Sequence, residues 1–392
     1  MNIHTFDELG DISGKYVLVR DDFNVQIVDG KITDAFRIEQ SLPTLRKLIA
    51  GGAKIAIIAH LGRPKEREPE LSLAPIAMAL EQLLGRPVAF VSDCLEKDFL
   101  SQMKNGDVAL LENLRYYPGE EKNDLDFAQK LANGFDYYVN DAFAVSHRAH
   151  ASVDAIAGFL PSFAGELLAS EIATLANLME NPKRPLCGII GGSKVSGKIG
   201  VIKALARLCD KVIVAGGIGT SFRITLGAKN IKDMLYDEKN KDVILDIMKE
   251  FGGKIVMPIS KGVGNAFAPS AARADKLLGS ILADDVIMDE GPESIFEYEK
   301  TIGGARTVVW NGTVGMAEWQ PTWSVGTFAL ARFVANKTAA GELESVIGGG
   351  DTVAALEAAD TKDKMTYVST GGGAFLEFIE GIELPGIKAL EK

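Results

Sequence analysis

The chain has 392 residues, 47% of them hydrophobic and 24% charged, and this length is sufficient for two globular domains with sizeable cores. Its 42 basic and 53 acidic side chains give a net charge of −11, which argues against a general nucleic-acid-binding protein because phosphate backbones select basic surfaces. The three cysteines, Cys94, Cys187 and Cys209, are too dispersed for a CxxC metal site and too few for a disulfide scaffold.

Short apolar runs alternate with amphipathic stretches along the whole chain. The runs are continuous, as is typical of strands buried on both faces. The predicted strands are 16–20, 54–59, 108–111, 136–139, 186–190, 211–215, 254–257, 286–288, 307–310 and 366–369. The predicted helices between them include 73–84, 199–207, 242–251 and 325–334. This alternation predicts an α/β fold of βαβ units, with too many strands for one twisted sheet, and therefore two parallel sheets in two domains.

The boundary between the two domains is predicted at residues 165–180. This segment, GELLASEIATLANLME, has apolar residues at helical spacing and is followed by the helix-breaking pair Asn181-Pro182. We therefore expect an N-terminal domain over 1–172, a connecting helix over 165–180 and a C-terminal domain over 183–374. The N-terminus lacks the pattern of a signal peptide, and no apolar run approaches the roughly 18 residues that span a bilayer. We expect a cytoplasmic monomer whose partners are small molecules, without membrane or nucleic-acid partners.

Polar loops follow the predicted strands of the first half, where open α/β sheets bind their ligands. Arg63, Arg115 and Arg148 lie in such loops, close in sequence to histidines. Each could be a surface charge, but three together in an acidic protein favour a pocket for phosphate and carboxylate groups, which arginine binds in a bidentate manner. His147 and His150 are a weak zinc signal, and anion binding, hydrogen bonding or a structural role fits them better.

The loops of the second half are rich in glycine, which favours a larger phosphate-bearing ligand held by backbone N–H groups. The stretch 192–199, GSKVSGKI, nearly matches a phosphate-binding Walker A loop, but Ile199 stands where a hydroxyl would bind Mg²⁺. A phosphate-contacting lysine of another family fits this stretch best, and a surface Gly/Lys turn is the alternative. The stretch GGIGTS at 216–221 is an incomplete dinucleotide fingerprint. A dehydrogenase would also need an acidic residue about 20 positions on, and Asp237 near that distance follows no convincing strand.

The sequence Gly348-Gly-Gly-Asp351-Thr352, before a predicted helix at 353–358, is a stronger signal. Three glycines leave the backbone accessible, the helix N-terminus is positive, and Asp351 stands where a metal-bound phosphate would arrive. A simple helix N-cap after a flexible loop is the alternative interpretation. Gly371–Gly373 carries the same signal more weakly.

Taken together, these motifs resemble those of the phosphoglycerate kinase family. The matching stretches are collinear and cover nearly the whole chain. They are 19–25 VRDDFNV, 60–64 HLGRP, 112–115 ENLR, 140–143 NDAF, 147–150 HRAH, 191–195 GGSKV, 308–312 VVWNG, 347–352 IGGGDT and 369–374 STGGGA.

The resemblance implies two doubly wound, Rossmann-like, three-layer domains facing across a cleft, with the tail 375–392 folding back onto the N-terminal domain. It implies a glycolytic enzyme that transfers a phosphoryl group between 1,3-bisphosphoglycerate and ADP, giving 3-phosphoglycerate and ATP, after hinge closure. The implied triose-binding residues are Asp22, Phe23, Asn24, Arg37, His60, Leu61, Gly62, Arg63, Arg115 and Arg148. The implied nucleotide-binding residues are Lys194, Lys198, Gly216, Gly217, Asn311, Glu318, Gly349, Gly350, Asp351 and Thr352.

The implied catalytic groups are Arg37, Lys198 and the glycines Gly371 and Gly372, with Asp351 as the protein ligand of Mg²⁺. The attacking carboxylate of the substrate is already ionised, so no general base is required, and catalysis depends on positioning and charge neutralisation. A non-catalytic protein that binds sugar phosphates or nucleotides on the same fold is a further alternative.

The sequence departs from the family pattern mainly in its second half, and the departures bear on nucleotide affinity and base preference. Gln26 and Thr313 stand where proline is usual, and Gly197 stands where aspartate is usual. Ala317 replaces an aromatic residue, and the stretch 257–265, MPISKGVGN, differs from the usual Leu-Pro-Val-Asp pattern.

Overall fold

The computed structural model describes residues 3–229, 231, 236 and 238–392. The chain divides into two compact units. The N-terminal unit comprises Met1–Ala176 together with Glu383–Lys392, and the C-terminal unit comprises Asn177–Ile382. Asp237, which a dehydrogenase would need as its acidic residue, lies outside the described residues.

The N-terminal unit is built on one parallel sheet of six strands. The strands of this unit are β1 (Tyr16–Arg20), β2 (Ile27–Val28), β3 (Lys31–Ile32), β4 (Lys54–Ile58), β5 (Val88–Val91), β6 (Val108–Leu111), β7 (Tyr137–Asn140) and β8 (Ser162–Ala164). The sheet order is β5-β6-β4-β1-β7-β8, while β2 and β3 form a separate antiparallel hairpin. The helices are α1 (Phe36–Ala50), α2 (Ala74–Leu84), α3 (Pro118–Glu121), α4 (Leu125–Ala132) and α5 (Glu166–Glu180).

Alternation of side chains along the central strands places helices on both faces of this sheet. Val17 and Val19 of β1 point into one core, which includes Leu45 of α1 and Leu80 of α2. Leu18 points into the other core, which includes residues of α4. Two faces that are both buried explain why these strands are continuous apolar runs.

The C-terminal unit contains a second parallel sheet of six strands and a small antiparallel sheet. Its strands are β9 (Leu186–Ile190), β10 (Lys211–Val214), β11 (Ile255–Val256), β12 (Ser260–Gly264), β13 (Ala274–Leu277), β14 (Val286–Glu290), β15 (Thr307–Asn311), β16 (Glu344–Gly348) and β17 (Tyr367–Val368). The parallel order is β11-β10-β9-β15-β16-β17, and the antiparallel order is β13-β12-β14. Its helices are α6 (Ile199–Leu208), α7 (Gly216–Thr225), α8 (Lys241–Phe251), α9 (Pro292–Gly303), α10 (Val325–Ala339), α11 (Gly350–Ala358) and α12 (Gly373–Glu380).

The two parallel sheets confirm the predicted fold class of two doubly wound α/β domains, but their strand orders differ. The C-terminal sheet has the 3-2-1-4-5-6 order of dinucleotide-binding folds, with its switch point between β9 and β15. In the N-terminal sheet the switch point lies between β1 and β7. Ligands of such sheets bind at these points, beyond the carboxyl ends of the strands.

The end of the chain departs from the predicted boundaries. Helix α12 belongs to the C-terminal unit, where its Phe375 ring packs so closely on Gly348 that an added methyl group would lie 2.5 Å away. Only residues 383–392 return to the N-terminal unit, not 375–392. Their short helix α13 (Pro385–Lys388) is held by a 2.9 Å hydrogen bond from Gly386 N to Ser146 O. The unit boundary, at Ala176 and not at 172, falls inside α5.

Several strands also differ from the sequence prediction. The segment 286–288 was predicted as a strand of a parallel sheet, and this was wrong, because it is part of β14 in the antiparallel sheet. An apolar run indicates that a strand is buried, but it does not indicate whether the neighbouring strands are parallel or antiparallel to it. Strands β5 and β8, at the two edges of the N-terminal sheet, were not predicted. Strand β8 has only three residues, and β5, although its sequence VAFV is apolar, has two exposed residues. No helix of the described residues is long and apolar enough to cross a membrane.

Candidate active site

Three loops of the N-terminal unit are joined by hydrogen bonds at the carboxyl edge of its sheet. Asp22, after β1, accepts a hydrogen bond from the guanidinium of Arg37 and another from Asn24 N at 3.2 Å. The Asn24 side chain in turn accepts from Gly62 N at 2.9 Å, in the loop after β4. Gly62 O accepts from Arg115 Nη1 at 2.5 Å, after β6. Five of the predicted triose residues therefore form one connected network.

A buried arginine that sequence reasoning missed supports this network from below. Arg20, the last residue of β1, is only 1% exposed. Its Nε donates to Ser152 Oγ at 2.9 Å, and its Nη2 lies 3.2 Å from His60 Nδ1. His60 Nδ1 also lies 3.8 Å from Asp22 Oδ1. A charged residue at the end of an apolar strand carries no pattern that distinguishes a site residue from a surface charge, so only the charge itself could have indicated it.

Asn113, after β6, is a second supporting residue that was not predicted as a site residue. Its side-chain oxygen accepts from Arg115 N at 3.0 Å and from Leu61 N at 3.3 Å. Its amide nitrogen donates to the carbonyls of Leu61 and Leu71 at 2.8 and 2.9 Å. One fully buried amide thereby fixes the loops after β4 and β6 relative to each other.

The remaining predicted triose residues differ in exposure. The side chains of Phe23 and Leu61 are buried in the core, so only their backbone atoms can face a ligand. Arg148 is partly buried and Arg63 is exposed. Among the described residues, neither guanidinium has a hydrogen-bond or ion-pair partner within 4.0 Å.

The positive charge of this site comes from arginines and not from histidines. Burial first, and then the charges of Arg20, Arg115 and Arg37, hold the pKa of His60 well below its usual value. Burial and the neighbouring arginines also lower the pKa of His150 to about 4 and lower that of His147. All three rings are therefore neutral at physiological pH and act as hydrogen-bonding groups beside permanently charged guanidiniums.

In the C-terminal unit, the loops after β9, β15 and β16 converge on Lys198. Its ammonium donates to Gly191 O and to Asn311 Oδ1, both at 2.8 Å. Asn311 Nδ2 donates to Gly348 O at 2.8 Å, which connects β15 to β16. Burial lowers the pKa of Lys198 to about 8, with the charge of Asp351 acting in the opposite sense.

The N-termini of two helices meet beside this lysine. Thr352 Oγ1, in the first turn of α11, accepts from Gly312 N at 2.7 Å. Gly349 has a φ of +101°, and a methyl group there would lie 2.7 Å from Asn311 Nδ2, so glycine is required at this position. A methyl group on Gly372, just before α12, would lie 3.8 Å from Gly349 Cα. Gly371 N already donates to Ser369 Oγ at 3.1 Å. A methyl group on Gly350, in contrast, would meet no atom within 4 Å.

A cavity of about 820 Å³ opens beside these loops within the C-terminal unit. It is lined by the predicted residues Gly216, Gly217, Glu318 and Asp351. Apolar residues cover much of the rest, including Ala354, Ala355 and Ala358 on one face of α11 and Met288 and Met316 opposite. Lys194 is exposed and does not line the cavity.

Asp351 is the candidate metal ligand, and it stands alone. Among the described residues, no three His, Cys, Asp or Glu side chains are close enough to hold a metal ion between them. His147 and His150 therefore do not belong to a metal cluster. A single exposed carboxylate at the mouth of a cavity suits Mg²⁺ that arrives with phosphates, because this ion commonly takes one or two carboxylates and completes its shell with phosphate and water.

Comparison with known proteins decides the family. The model of the family described as "Phosphoglycerate kinase" matches residues 6–382. The phosphoglycerate kinase of Xanthobacter flavus is 43% identical, with 99% of each chain covered. That of Pelobacter propionicus is 44% identical, with 100% of this chain and 99% of the relative covered.

Solved structures agree with the sequence relatives. The phosphoglycerate kinase structure from Coxiella burnetii has a TM-score of 0.86 and 37% identity, covering 99% of this chain and 98% of that one. The Pyrococcus horikoshii OT3 enzyme has a TM-score of 0.88 and 29% identity over the same shares.

The chain belongs to the phosphoglycerate kinase family. Phosphoglycerate kinases transfer a phosphoryl group between 1,3-bisphosphoglycerate and ADP in glycolysis, and the chain is a kinase of this class. A match over nearly the whole length displaces the dehydrogenase and the Walker A alternatives.

Beneath the arginine network of this phosphoglycerate kinase family member lies a pair of buried acids. Asp21 and Asp141 follow β1 and β7 directly, one step beyond the paired residues Arg20 and Asn140. Both are 0% exposed, and both carboxylate oxygens of Asp21 lack a hydrogen-bond partner among the described residues. Burial, and then the charge of Asp141, raises the pKa of Asp21 well above its usual value, while burial raises that of Asp141 to about 7. The pair therefore holds at least one proton at neutral pH.

This pair predicts a pH dependence of stability. Folding raises the pKa values of both carboxyls. The contribution of the pair to the stability of the fold is therefore complete below about pH 4, the pKa of a carboxyl in the unfolded chain, and is lost as the pH rises through about 7. Replacing one acid by a neutral amide, Asp21→Asn, should therefore raise the melting temperature more at pH 8 than at pH 5. Thermal unfolding at both pH values tests this, with the exposed Asp126→Asn on α4 as control. Equal shifts in melting temperature at the two pH values would contradict the assignment of raised pKa values to this pair.

Proposed function

We propose that the two units divide the substrates of the reaction. The N-terminal unit binds 3-phosphoglycerate or 1,3-bisphosphoglycerate through Arg37, Arg63, Arg115 and Arg148, and the C-terminal unit binds the nucleotide. The observation that carries this proposal is the contrast between the two edges, with guanidiniums at one and a glycine-lined cavity beside two helix N-termini at the other. Compact polyanions are bound by arginine forks, and extended polyphosphates by backbone N–H groups.

In the N-terminal unit, the hydrogen bonds already made leave specific groups for the ligand. Arg37 and Arg115 are held by Asp22 and Gly62 O, so they are oriented before a ligand arrives. Arg63 and Arg148 have no such partner among the described residues and supply free guanidiniums for phosphate or carboxylate oxygens. Two guanidiniums that are already oriented, together with two that are free, suit a small ligand that carries a phosphate at one end and an acyl group at the other.

In the C-terminal unit, the polyphosphate would lie across Gly349, Gly350 and the first turn of α11. A methyl group on Gly350 would meet no atom within 4 Å, so the backbone is accessible there, and the helix dipole favours negative charge at this end of α11. Asp351 would hold Mg²⁺ bound with ADP or ATP, an ion that neutralises phosphate charge during transfer. The apolar wall along α11 then accommodates the less polar part of the nucleotide.

Lys198 is proposed to stabilise the transferring phosphoryl group together with Arg37. Its ammonium is held between two neutral oxygens, Gly191 O and Asn311 Oδ1, and no carboxylate forms an ion pair with it among the described residues. Its pKa of about 8 leaves it mostly protonated at neutral pH. The ammonium can exchange one of these neutral oxygens for an oxygen of the phosphoryl group. This exchange is most favourable in the transition state, when negative charge builds up on the phosphoryl group.

The transfer also requires that both bound substrates come together with water excluded. We propose a hinge motion about the two places where the chain crosses between the units, inside α5 and at residues 382–383. Either substrate alone binds one unit and has little preference for a closed state, whereas both together shift the population towards it.

A coupled assay of ADP formation from MgATP, with and without 3-phosphoglycerate, tests the function directly. The proposal predicts turnover that depends on 3-phosphoglycerate. ADP formation at an equal rate without the triose would indicate simple hydrolysis, and no turnover with both substrates bound would indicate a binding protein.

Lys198→Ala should lower kcat by about 10²–10³-fold, because it removes an electrostatic contact that matters most in the transition state. KM values should change much less than kcat. Arg207→Ala, an exposed cation at the other end of α6, is the control and should behave like the wild type. An unchanged kcat for Lys198→Ala would remove this lysine from the mechanism.

The division of substrates predicts a double dissociation in calorimetry. Asp351→Asn should weaken MgADP binding and spare 3-phosphoglycerate. Arg148→Ala should weaken 3-phosphoglycerate binding by about 1.5–3 kcal/mol, the usual range for a hydrogen bond to a charged group, and spare MgADP. If either variant loses both affinities equally while remaining folded, the assignment of substrates to units is wrong.

A further inference from the structure

A fully buried ion pair lies at the wall of the cavity, and its lysine belongs to the stretch 257–265, where the sequence departs from the family pattern. Lys261 of β12 and Glu290 of β14 are directly opposed in the antiparallel register. Their ammonium and carboxylate are 2.8 Å apart, and both side chains are 0% exposed. Lys261 also lines the cavity.

The pair holds both backbone polar atoms of a single residue, Gly216. Lys261 Nζ donates to Gly216 O at 3.1 Å, and Gly216 N donates to Glu290 Oε1 at 2.8 Å. Gly216 begins α7, and the carboxylate of Glu290 therefore occupies the positive end of that helix. The N–H of Gly216 is thus already satisfied by the protein and is not available to a phosphate.

The turn that is held in this way packs closely against the loop after β9. Gly216 has a φ of +63°, and a methyl group there would lie 3.0 Å from Gly192 O. A methyl group on Gly217 would lie 2.3 Å from Ser193 O. Gly192 and Ser193 line the same cavity and precede Lys198 in the loop after β9. The Gly216–Gly217 turn is therefore in direct contact with the loop that carries the proposed phosphoryl-stabilising lysine.

Stability alone does not explain a pair of this kind. Desolvation of two charges largely cancels their attraction, and well-packed apolar residues in the same place are often as stable or more stable. Among the residues that the structure describes, the other charged and titratable groups that face Glu290 are Asp289, beside it on β14, and Tyr298 of α9. Burial raises the pKa of Glu290, while the charge of Lys261 and the hydrogen bond from Gly216 N–H act in the opposite sense.

We propose that Lys261 and Glu290 are positioning residues that fix the Gly216–Gly217 turn in the cavity wall and thereby set the affinity for the nucleotide. The inference rests on the proposed function of the C-terminal unit. Neither side chain is proposed to contact the reacting atoms. Loss of the pair should therefore raise the KM for the nucleotide and leave kcat and the KM for the triose nearly unchanged.

The test is an apolar replacement of the whole pair, Lys261→Met with Glu290→Leu. Removing both charges avoids leaving one of them buried alone, so the melting temperature should stay the same or rise. The KM for MgATP should nevertheless increase about tenfold, as expected when roughly one or two positioned hydrogen bonds are lost. The KM for 3-phosphoglycerate should stay within twofold of the wild type.

The matched control is Lys261→Met with Glu290→Gln, which is equally uncharged but retains an acceptor for Gly216 N–H. It should recover most of the wild-type KM for MgATP, and it also serves if the Leu variant fails to fold. A folded Leu variant with a wild-type KM for MgATP, or a Gln variant no better than the Leu variant, would reduce the pair to a structural role. Absence of triose-dependent turnover in the wild type would instead contradict the proposed function itself.

Discussion

Parallel strand pairing is the constraint on which both candidate sites depend. In the N-terminal sheet Arg20 pairs with Ile58 on one side and Asn140 on the other, so the loops after β1, β4 and β7 leave the sheet at the same level. In the C-terminal sheet Asn311 pairs with Ile190 and Gly348 in the same way. Residues far apart in sequence therefore meet at one edge without any long side chain having to reach across the sheet.

The two units use this common edge in physically different ways. The N-terminal unit collects permanent charge, and the accumulated guanidiniums together with burial keep the nearby histidines neutral. Such an edge tolerates a compact ligand with two anionic groups. The C-terminal unit instead has bare backbone, one partly buried lysine and a largely apolar cavity. Its positive potential comes mainly from helix N-termini, which suits a long polyphosphate whose remaining charge is carried by a metal ion.

The sequence was informative wherever burial on both faces left a continuous apolar run. Strands β1, β6 and β9 were predicted to the residue for this reason. The bounds of helix α1 were not predicted, although Arg37 was placed at a helix start, and Pro43 lies inside the helix. Proline lowers any helix prediction from propensity, whereas packing of the helix on the sheet overrides that preference here.

The site residues could be predicted from the sequence only where a motif follows a strand. The network of Asp22, Asn24 and Gly62 matches that expectation, since each lies in a loop at the carboxyl edge. Arg20 was missed because it lies within a strand. Of the Lys261–Glu290 pair, only the lysine lies in the unusual stretch 257–265, and no local pattern indicates that two charges on different strands will be opposed and buried. Residues joined only through tertiary pairing leave no short-range signature.

The central claim is that each substrate binds at the carboxyl edge of a different sheet. Hydrogen-exchange mass spectrometry of the wild-type chain with each ligand alone tests it most directly, because backbone N–H groups are reported loop by loop. With 3-phosphoglycerate alone, the account predicts protection of residues 21–24, 60–63, 113–116 and 147–150. With MgADP alone, it predicts protection of residues 191–198, 216–219 and 349–352 and no change in the first set. Protection of the arginine loops by MgADP alone, or of the glycine loops by 3-phosphoglycerate alone, would contradict it.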